Sequence, residues 1–228
     1  VAVEVFAQVD PSLTCSPSFA DGDRIPAGAI VLTVAGDGRS MLKGERVALN
    51  FLQRLSGIAT LTAKFCDAVK GFRTRILDSR KTTPGLRALE KWAVTLGGGS
   101  NHRFGLADGI LIKDNHLALA GGDVAKACRV ARGRAPHGLK IEVEVQSLEA
   151  VQAALDGSAD IILLDNMTVS AIRKAVELIK GRATVEVSGG VTLSNVRELA
   201  AAGPDLISVG ALTHSASAAR FSMDIVPR

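Results

Sequence analysis

From residue 74 onward the chain alternates short apolar runs with helix-forming stretches, and this alternation limits the fold more than any other feature. The runs are "RILDS", "GILIKD", "KIEVEV", "DIILLD", "TVEVSGG" and "DLISVG", with helix starts expected near Pro84, Gly121, Ser147, Thr168 and Thr192. Strands that alternate with helices pair in parallel, because each helix carries the chain back across the sheet. Six strands fall short of the eight of a closed α/β barrel, and one or two more are to be sought around "SNHRFG". In such sheets ligands collect beyond the C-terminal strand ends. Arg80, Lys113, Glu144, Asp165, Ser188 and Gly210 stand there, and all but the last are polar or charged.

Residues 1–43 read differently. "VAVEVFAQVD", the turn chemistry of "DGDRIPAG" and "AIVLTVAG" predict a small β-rich unit. Because the chain opens inside "VAVEVF", a further N-terminal stretch is expected before it. Residues 44–70 carry Val47, Leu49, Phe51, Leu52, Leu55 and Ile58 near helical spacing, which predicts a long helix broken at Ser56 and Gly57. With 228 residues, 47% of them hydrophobic, the chain can bury a core of one large domain or of a domain plus a smaller piece. A net charge of +4 suits anionic ligands but is too mild to indicate nucleic acid, and the lack of Tyr removes stacking platforms. Cys15, Cys66 and Cys128 form neither a CxxC pair nor an even set, and are read as buried small hydrophobes of a reducing cytoplasm. No run approaches the roughly 18 apolar residues of a membrane span.

Two strands depart from the apolar pattern of a doubly covered sheet. "IEVEV" puts Glu142 and Glu144 on one face, and "TVEVS" does the same with Glu186 and Ser188. Buried carboxylates need partners. Two readings compete: an internal salt-bridge network with inward lysines or arginines, or a Mg²⁺ or catalytic site joined by Asp165. "SGGV" and "SVGALTHS" each follow a strand and precede a helix, a repeated device that suits a monophosphate. Dinucleotide and Walker-type loops are missing.

Arg80, Arg103 and Lys113 come from separate segments that the alternation brings to one end of the sheet, where several cations suit a ligand with more than one carboxylate. Arg87 reads equally well as a site residue or as solvated surface. His102 is either structural or a ligand contact, Asn115 and His116 are expected to cap a helix, His137 lies in a surface turn, and Trp92 is expected in the core.

The motifs "GERVALNFLQRLSGIAT", "SRKTTPGLR", "GGGSNHR", "LIKDNH", "IEVEV", "ILLDN", "SGGV" and "VGALTHS", in this order, closely resemble the quinolinate phosphoribosyltransferase family over nearly the whole chain. The resemblance implies an incomplete α/β barrel of about six or seven strands with a smaller N-terminal α/β sandwich, truncated at its N-terminus here. The expected divisions are 1–43 for part of the sandwich, 44–70 for connecting helices, 71–212 for the barrel and 213–228 for a tail returning towards the N-terminal domain. The implied activity is decarboxylating phosphoribosyl transfer to quinolinate. Arg80, His102, Arg103 and Lys113 would hold quinolinate, with Ser79 nearby and Arg46 entering from the second subunit of a homodimer. Lys81 and Lys113 would face the pyrophosphate. Glu144 and Asp165 would bind the ribose of phosphoribosyl pyrophosphate and its Mg²⁺, and Ser188, Gly189 and Gly210 the 5-phosphate. Val187 departs from the family's usual small Ala. The alternatives are a related transferase acting on nicotinate or another anionic base, and a non-catalytic sugar-phosphate-binding barrel, which would leave Arg80, His102 and Arg103 unexplained.

Overall fold

A computed structural model describes residues 1–226; the last two residues of the expected tail, 227 and 228, lie outside it. The chain opens with helix α1 (Ala2–Val9), followed by the antiparallel pair β1 (Thr14–Pro17) and β2 (Leu32–Ala35) and the 31-residue helix α2 (Gly38–Ala68). Then come β3 (Arg75–Leu77), α3 (Arg87–Leu96), β4 (Ile110–Ile112), α4 (Asp114–Leu119), α5 (Val124–Arg134), β5 (Ile141–Val145), α6 (Leu148–Asp156), β6 (Ile161–Asp165), α7 (Val169–Ile179), β7 (Thr184–Ser188), α8 (Val196–Ala201), β8 (Leu206–Ser208) and α9 (Ala211–His214).

The six expected strands form one parallel sheet in the order β3-β8-β7-β6-β5-β4. β3 and β4 stay unpaired with each other, so the barrel is incomplete. The sought seventh strand reduces to a single bridge between Leu77 and Ser100, and the loop that follows it carries Asn101, His102 and Arg103 before β4 begins. The helix starts follow their caps: Ser147 and Thr168 accept the N–H of Ala150 and Ala171 at the heads of α6 and α7. Outward-facing Ile141, Val143, Val145, Ile162, Leu164, Val185, Val187 and Ile207 pack beneath the helices as one core.

Four expectations at the level of elements fail. "VAVEVF" belongs to helix α1, because Ala2 and Phe6, one turn apart, bury against α2; Phe6 lies where Gly44 leaves room for its ring. No break occurs at Ser56 and Gly57: α2 runs straight through, and Gly57 is present because Ser217 and Ala218 pass directly against it. Trp92 is 38% exposed, since α3 turns Glu90, Lys91, Ala93 and Val94 inward instead. Of the three free thiols only Cys128 is buried; Cys15 and Cys66 are half-buried. After α9 the chain runs beside α2, where the Ala219 N–H donates to the Gln53 carbonyl, and Met223 packs on the cluster around Phe6.

Candidate active site

The inward-facing residues of the sheet build the site in layers. At the C-terminal ends Asp165 of β6 stands beside Ser188 of β7, whose hydroxyl donates to Asp165 Oδ1 at 2.6 Å, while Asn166 Nδ2 donates to Oδ2 at 2.7 Å. Glu144 of β5 faces Lys113, with Nζ 3.5 Å from Oε2. Burial pushes the Glu144 carboxyl up, the Lys113 ammonium pulls it back and the Asp165 carboxylate pushes it up again. A strand end with two hard oxygen donors and a flexible cation is therefore in place.

One layer deeper, Glu142 and Glu186 are both buried. Their partner is His102, which projects into the gap between β3 and β4: Nε2 lies 3.3 Å from Glu142 Oε2 and 3.5 Å from Glu186 Oε1. Of the two readings of these carboxylates, an internal ion cluster describes this deeper layer, with a histidine in place of the expected lysine or arginine. Nδ1 accepts the Arg103 N–H at 2.7 Å, so the ring's proton sits on Nε2 and points at the carboxylates. Burial, and next the Glu142 carboxylate, push the Glu186 carboxyl up to about 7. Burial lowers the His102 pKa, but the two glutamates outweigh it and hold the imidazole above its ordinary value. Among the described residues Glu186 Oε1 has no hydrogen-bond partner.

Three side chains absent from the sequence reading hold His102 and Arg103 in the gap. Asp78, fully buried, accepts from Lys91 Nζ at 2.5 Å, Asn101 Nδ2 at 2.7 Å and the His102 N–H at 2.8 Å. Lys91 also donates to the His102 carbonyl. Arg103 Nη1 donates to the Gly109 carbonyl at 2.9 Å. Burial first and the Arg80 guanidinium second draw the Arg103 pKa below the ordinary arginine value. Arg87 is half-buried. It donates to Thr82 Oγ1, to the Phe104 carbonyl and to the Arg80 carbonyl, stapling the two arginine loops together.

Ser79 Oγ accepts the Lys81 N–H at 3.1 Å. The Lys81 stem and the His214 imidazole both flank Gly210, within 3.1 and 3.2 Å of where its Cβ would stand. Gly189 has φ +89°, and a Cβ there would meet the Asn166 side chain and backbone. His116 accepts the Lys113 N–H at the head of α4, as the capping expectation required, and His137 is exposed. Arg46 is exposed on α2, and among the described residues no hydrogen bond or ion pair joins it to the others.

Family models match both parts of the chain: "Quinolinate phosphoribosyl transferase, N-terminal domain" over residues 1–56 and "Quinolinate phosphoribosyl transferase, C-terminal domain" over residues 58–224. A probable nicotinate-nucleotide pyrophosphorylase [carboxylating] of Bacillus subtilis is 43% identical over 222 residues, covering 97% of this chain and 76% of the relative. The nicotinate-nucleotide pyrophosphorylase [carboxylating] of Mycobacterium leprae is 47% identical over 208 residues, 90% of this chain and 72% of that one. The crystal structure of NadC from Streptococcus pyogenes superposes with a TM-score of 0.93 at 46% identity, covering 98% of this chain and 79% of that one. Both parts of the chain match the family models and the fold superposes, and the chain belongs to the quinolinate phosphoribosyltransferase family.

Proposed function

We propose that this protein transfers a phosphoribosyl group from phosphoribosyl pyrophosphate to the ring nitrogen of quinolinate and removes the 2-carboxylate. The products are nicotinate mononucleotide, pyrophosphate and CO₂, a step of de novo NAD synthesis. The observation that carries this reading is that Arg87, by donating to the Arg80 and Phe104 carbonyls, ties the loops of Arg80 and Arg103 together at the mouth of the sheet. Two adjacent guanidinium groups repel unless an anion lies between them, and a dicarboxylate supplies two.

Arg80 and Arg103 grip the substrate carboxylates, Lys113 approaches from β4, and Ser79 and His102 line the same pocket. Lys81, beside Gly210, pairs with the pyrophosphate, and the backbone N–H groups of Ser188, Gly189 and Gly210 receive the 5-phosphate. Glu144 and Asp165 suit Mg²⁺: both are hard oxygen donors, and the Asp165 carboxylate makes the negative charge of Glu144 more costly. Bound there, Mg²⁺ supplies charge neutralisation to the leaving pyrophosphate. As the C1–O bond breaks, the Glu144 and Asp165 carboxylates offset the growing positive charge of the ribosyl carbon, and Lys81 and Lys113 offset the negative charge of pyrophosphate. The ring nitrogen, aimed by the arginines, then bonds to C1. The ring becomes cationic, so the electron pair left on C2 as CO₂ departs sits beside a positive nitrogen. Positioning and electrostatics suffice, and no side-chain nucleophile is needed.

The proposed assembly is a homodimer in which Arg46 of one subunit completes the site of the other. Arg46 is exposed on α2 among exposed apolar neighbours, Leu42 and Val47, which supports a contact there. The proposed compartment is the cytoplasm, where the thiols of Cys15, Cys66 and Cys128 stay reduced. Base specificity tests the reading. With Mg²⁺ and phosphoribosyl pyrophosphate, quinolinate should be turned over at least about 100-fold more efficiently than nicotinate, the cost of leaving a charged partner empty. Equal efficiencies would replace quinolinate by a monocarboxylate as the substrate.

A further inference from the structure

Arg54 and Glu90 form an ion pair to which the reading above gives no role. Glu90 is fully buried, and Arg54 reaches it from α2 through Nε at 3.1 Å and Nη2 at 2.8 Å. The pair does more than join α2 to α3. Glu90 accepts the Thr83 hydroxyl on Oε1 at 2.7 Å and the Thr83 N–H on Oε2 at 3.1 Å, which fixes Thr83, two residues after Lys81. Arg54 Nη2 also donates to the Thr213 carbonyl, in helix α9, which follows Gly210. Thr213, itself fully buried, closes the circuit: its hydroxyl donates to the Lys81 carbonyl at 2.7 Å. The loop after β3 and helix α9, far apart in the sequence, are thereby tied at one point. That point lies directly behind Lys81 and Gly210.

We infer that Arg54, Glu90 and Thr213 are positioning residues for phosphoribosyl pyrophosphate: they set Lys81 at a fixed distance from Gly210 and α9, so that pyrophosphate and 5-phosphate are bound at one spacing. The inference rests on the functional reading above. It also predicts selectivity, because the arginine that shares the first loop is held by other contacts. Arg80 is stapled through Arg87 to the Phe104 loop, and Arg103 is fixed through Asp78 and Lys91, neither of which touches this circuit. Loosening the circuit therefore frees the phosphate side and leaves the carboxylate side in place.

Glu90→Gln breaks it without removing volume. An amide accepts on one atom only, so the Thr83 N–H then faces a donor, and an unmet partner of a formerly charged group costs on the order of tenfold or more in affinity. Thr213→Val removes only the hydroxyl that holds the Lys81 carbonyl, keeps the ion pair, and stands in if Glu90→Gln fails to fold. Thr213→Ser should restore the wild-type value. By calorimetry in Mg²⁺, Thr213→Val and Glu90→Gln are expected to bind phosphoribosyl pyrophosphate at least about tenfold more weakly while quinolinate affinity changes less than about twofold. A parallel loss for both ligands, or folded Thr213→Val with unchanged phosphoribosyl pyrophosphate affinity, overturns the inference. Failure of the functional reading shows itself separately, as wild-type protein that binds phosphoribosyl pyrophosphate but does not consume quinolinate.

Discussion

Replacing Glu186 by Gln should remove much of the pH sensitivity of the barrel interior. The wild-type carboxyl is held at about 7 against an ordinary 4.5, burial being the first cause and the Glu142 carboxylate the second. A carboxyl whose folded pKa exceeds its unfolded one favours the native state at low pH. That advantage is complete below about 4.5 and is lost as pH rises to about 7, where the native group must also ionise. A gap of about 2.5 in pKa, at about 1.36 kcal/mol each, amounts to a loss on the order of 3 kcal/mol across that window. His102, whose pKa is likewise raised, adds a loss of the same sign above its unfolded value. Urea unfolding of both proteins in EDTA at a series of pH values from 4.5 to 8 tests this, because the difference between the two curves cancels the titrating groups outside the Glu186, Glu142 and His102 cluster. Relative to wild type, Glu186→Gln should gain on the order of 3 kcal/mol between the acid and alkaline ends. Parallel curves would refute the claim that Glu186 is protonated in the native state at mildly acid pH.

Lys91→Met should cost about 3–5 kcal/mol in unfolding free energy, since it strands the buried Asp78 carboxylate; a cost below about 1 kcal/mol would mean that water replaces the ammonium. Gly189→Ala should destabilise the protein by about 1–3 kcal/mol, because φ +89° strains any side chain there and Asn166 blocks it. Its affinity for phosphoribosyl pyrophosphate should fall with the loop, and calorimetry would show an unchanged value if the loop does not hold phosphate. If Arg46 acts across a dimer, mixing inactive Arg46→Ala and Arg80→Ala proteins should restore roughly a quarter of wild-type activity after complete exchange, since half the dimers are hybrids with one intact site. No recovery after verified exchange would argue against a shared site.

The parallel sheet was legible because its signal is local and repeated: six runs, each followed by helix chemistry, with Ser147 and Thr168 as caps. The inward carboxylates were legible too, since Glu142, Glu144 and Glu186 interrupt strands that should be wholly apolar. What escaped was whatever depends on a distant partner. Alternating apolar residues in "VAVEVF" suggest a strand until α2 offers Phe6 a place beside Gly44. Gly57 suggests a break until the tail at Ser217 is seen to need the space. Glu90 and Lys91 look like the solvated face of α3, with Trp92 inside. The helix is rotated the other way because Arg54 and Asp78 hold those two charges in the interior. Arg87 could not be assigned from sequence, since its three acceptors lie on two separate loops.

The central claim is that two arginines and the strand-end carboxylates carry out one coupled reaction, ribosyl transfer followed by loss of the 2-carboxylate. It is tested most directly by following quinolinate labelled in that carboxyl group, with purified protein, Mg²⁺ and phosphoribosyl pyrophosphate. The account predicts labelled CO₂, pyrophosphate and nicotinate mononucleotide in equal amounts, and no CO₂ when phosphoribosyl pyrophosphate is left out. Folded protein that binds both ligands and releases no CO₂ would contradict it.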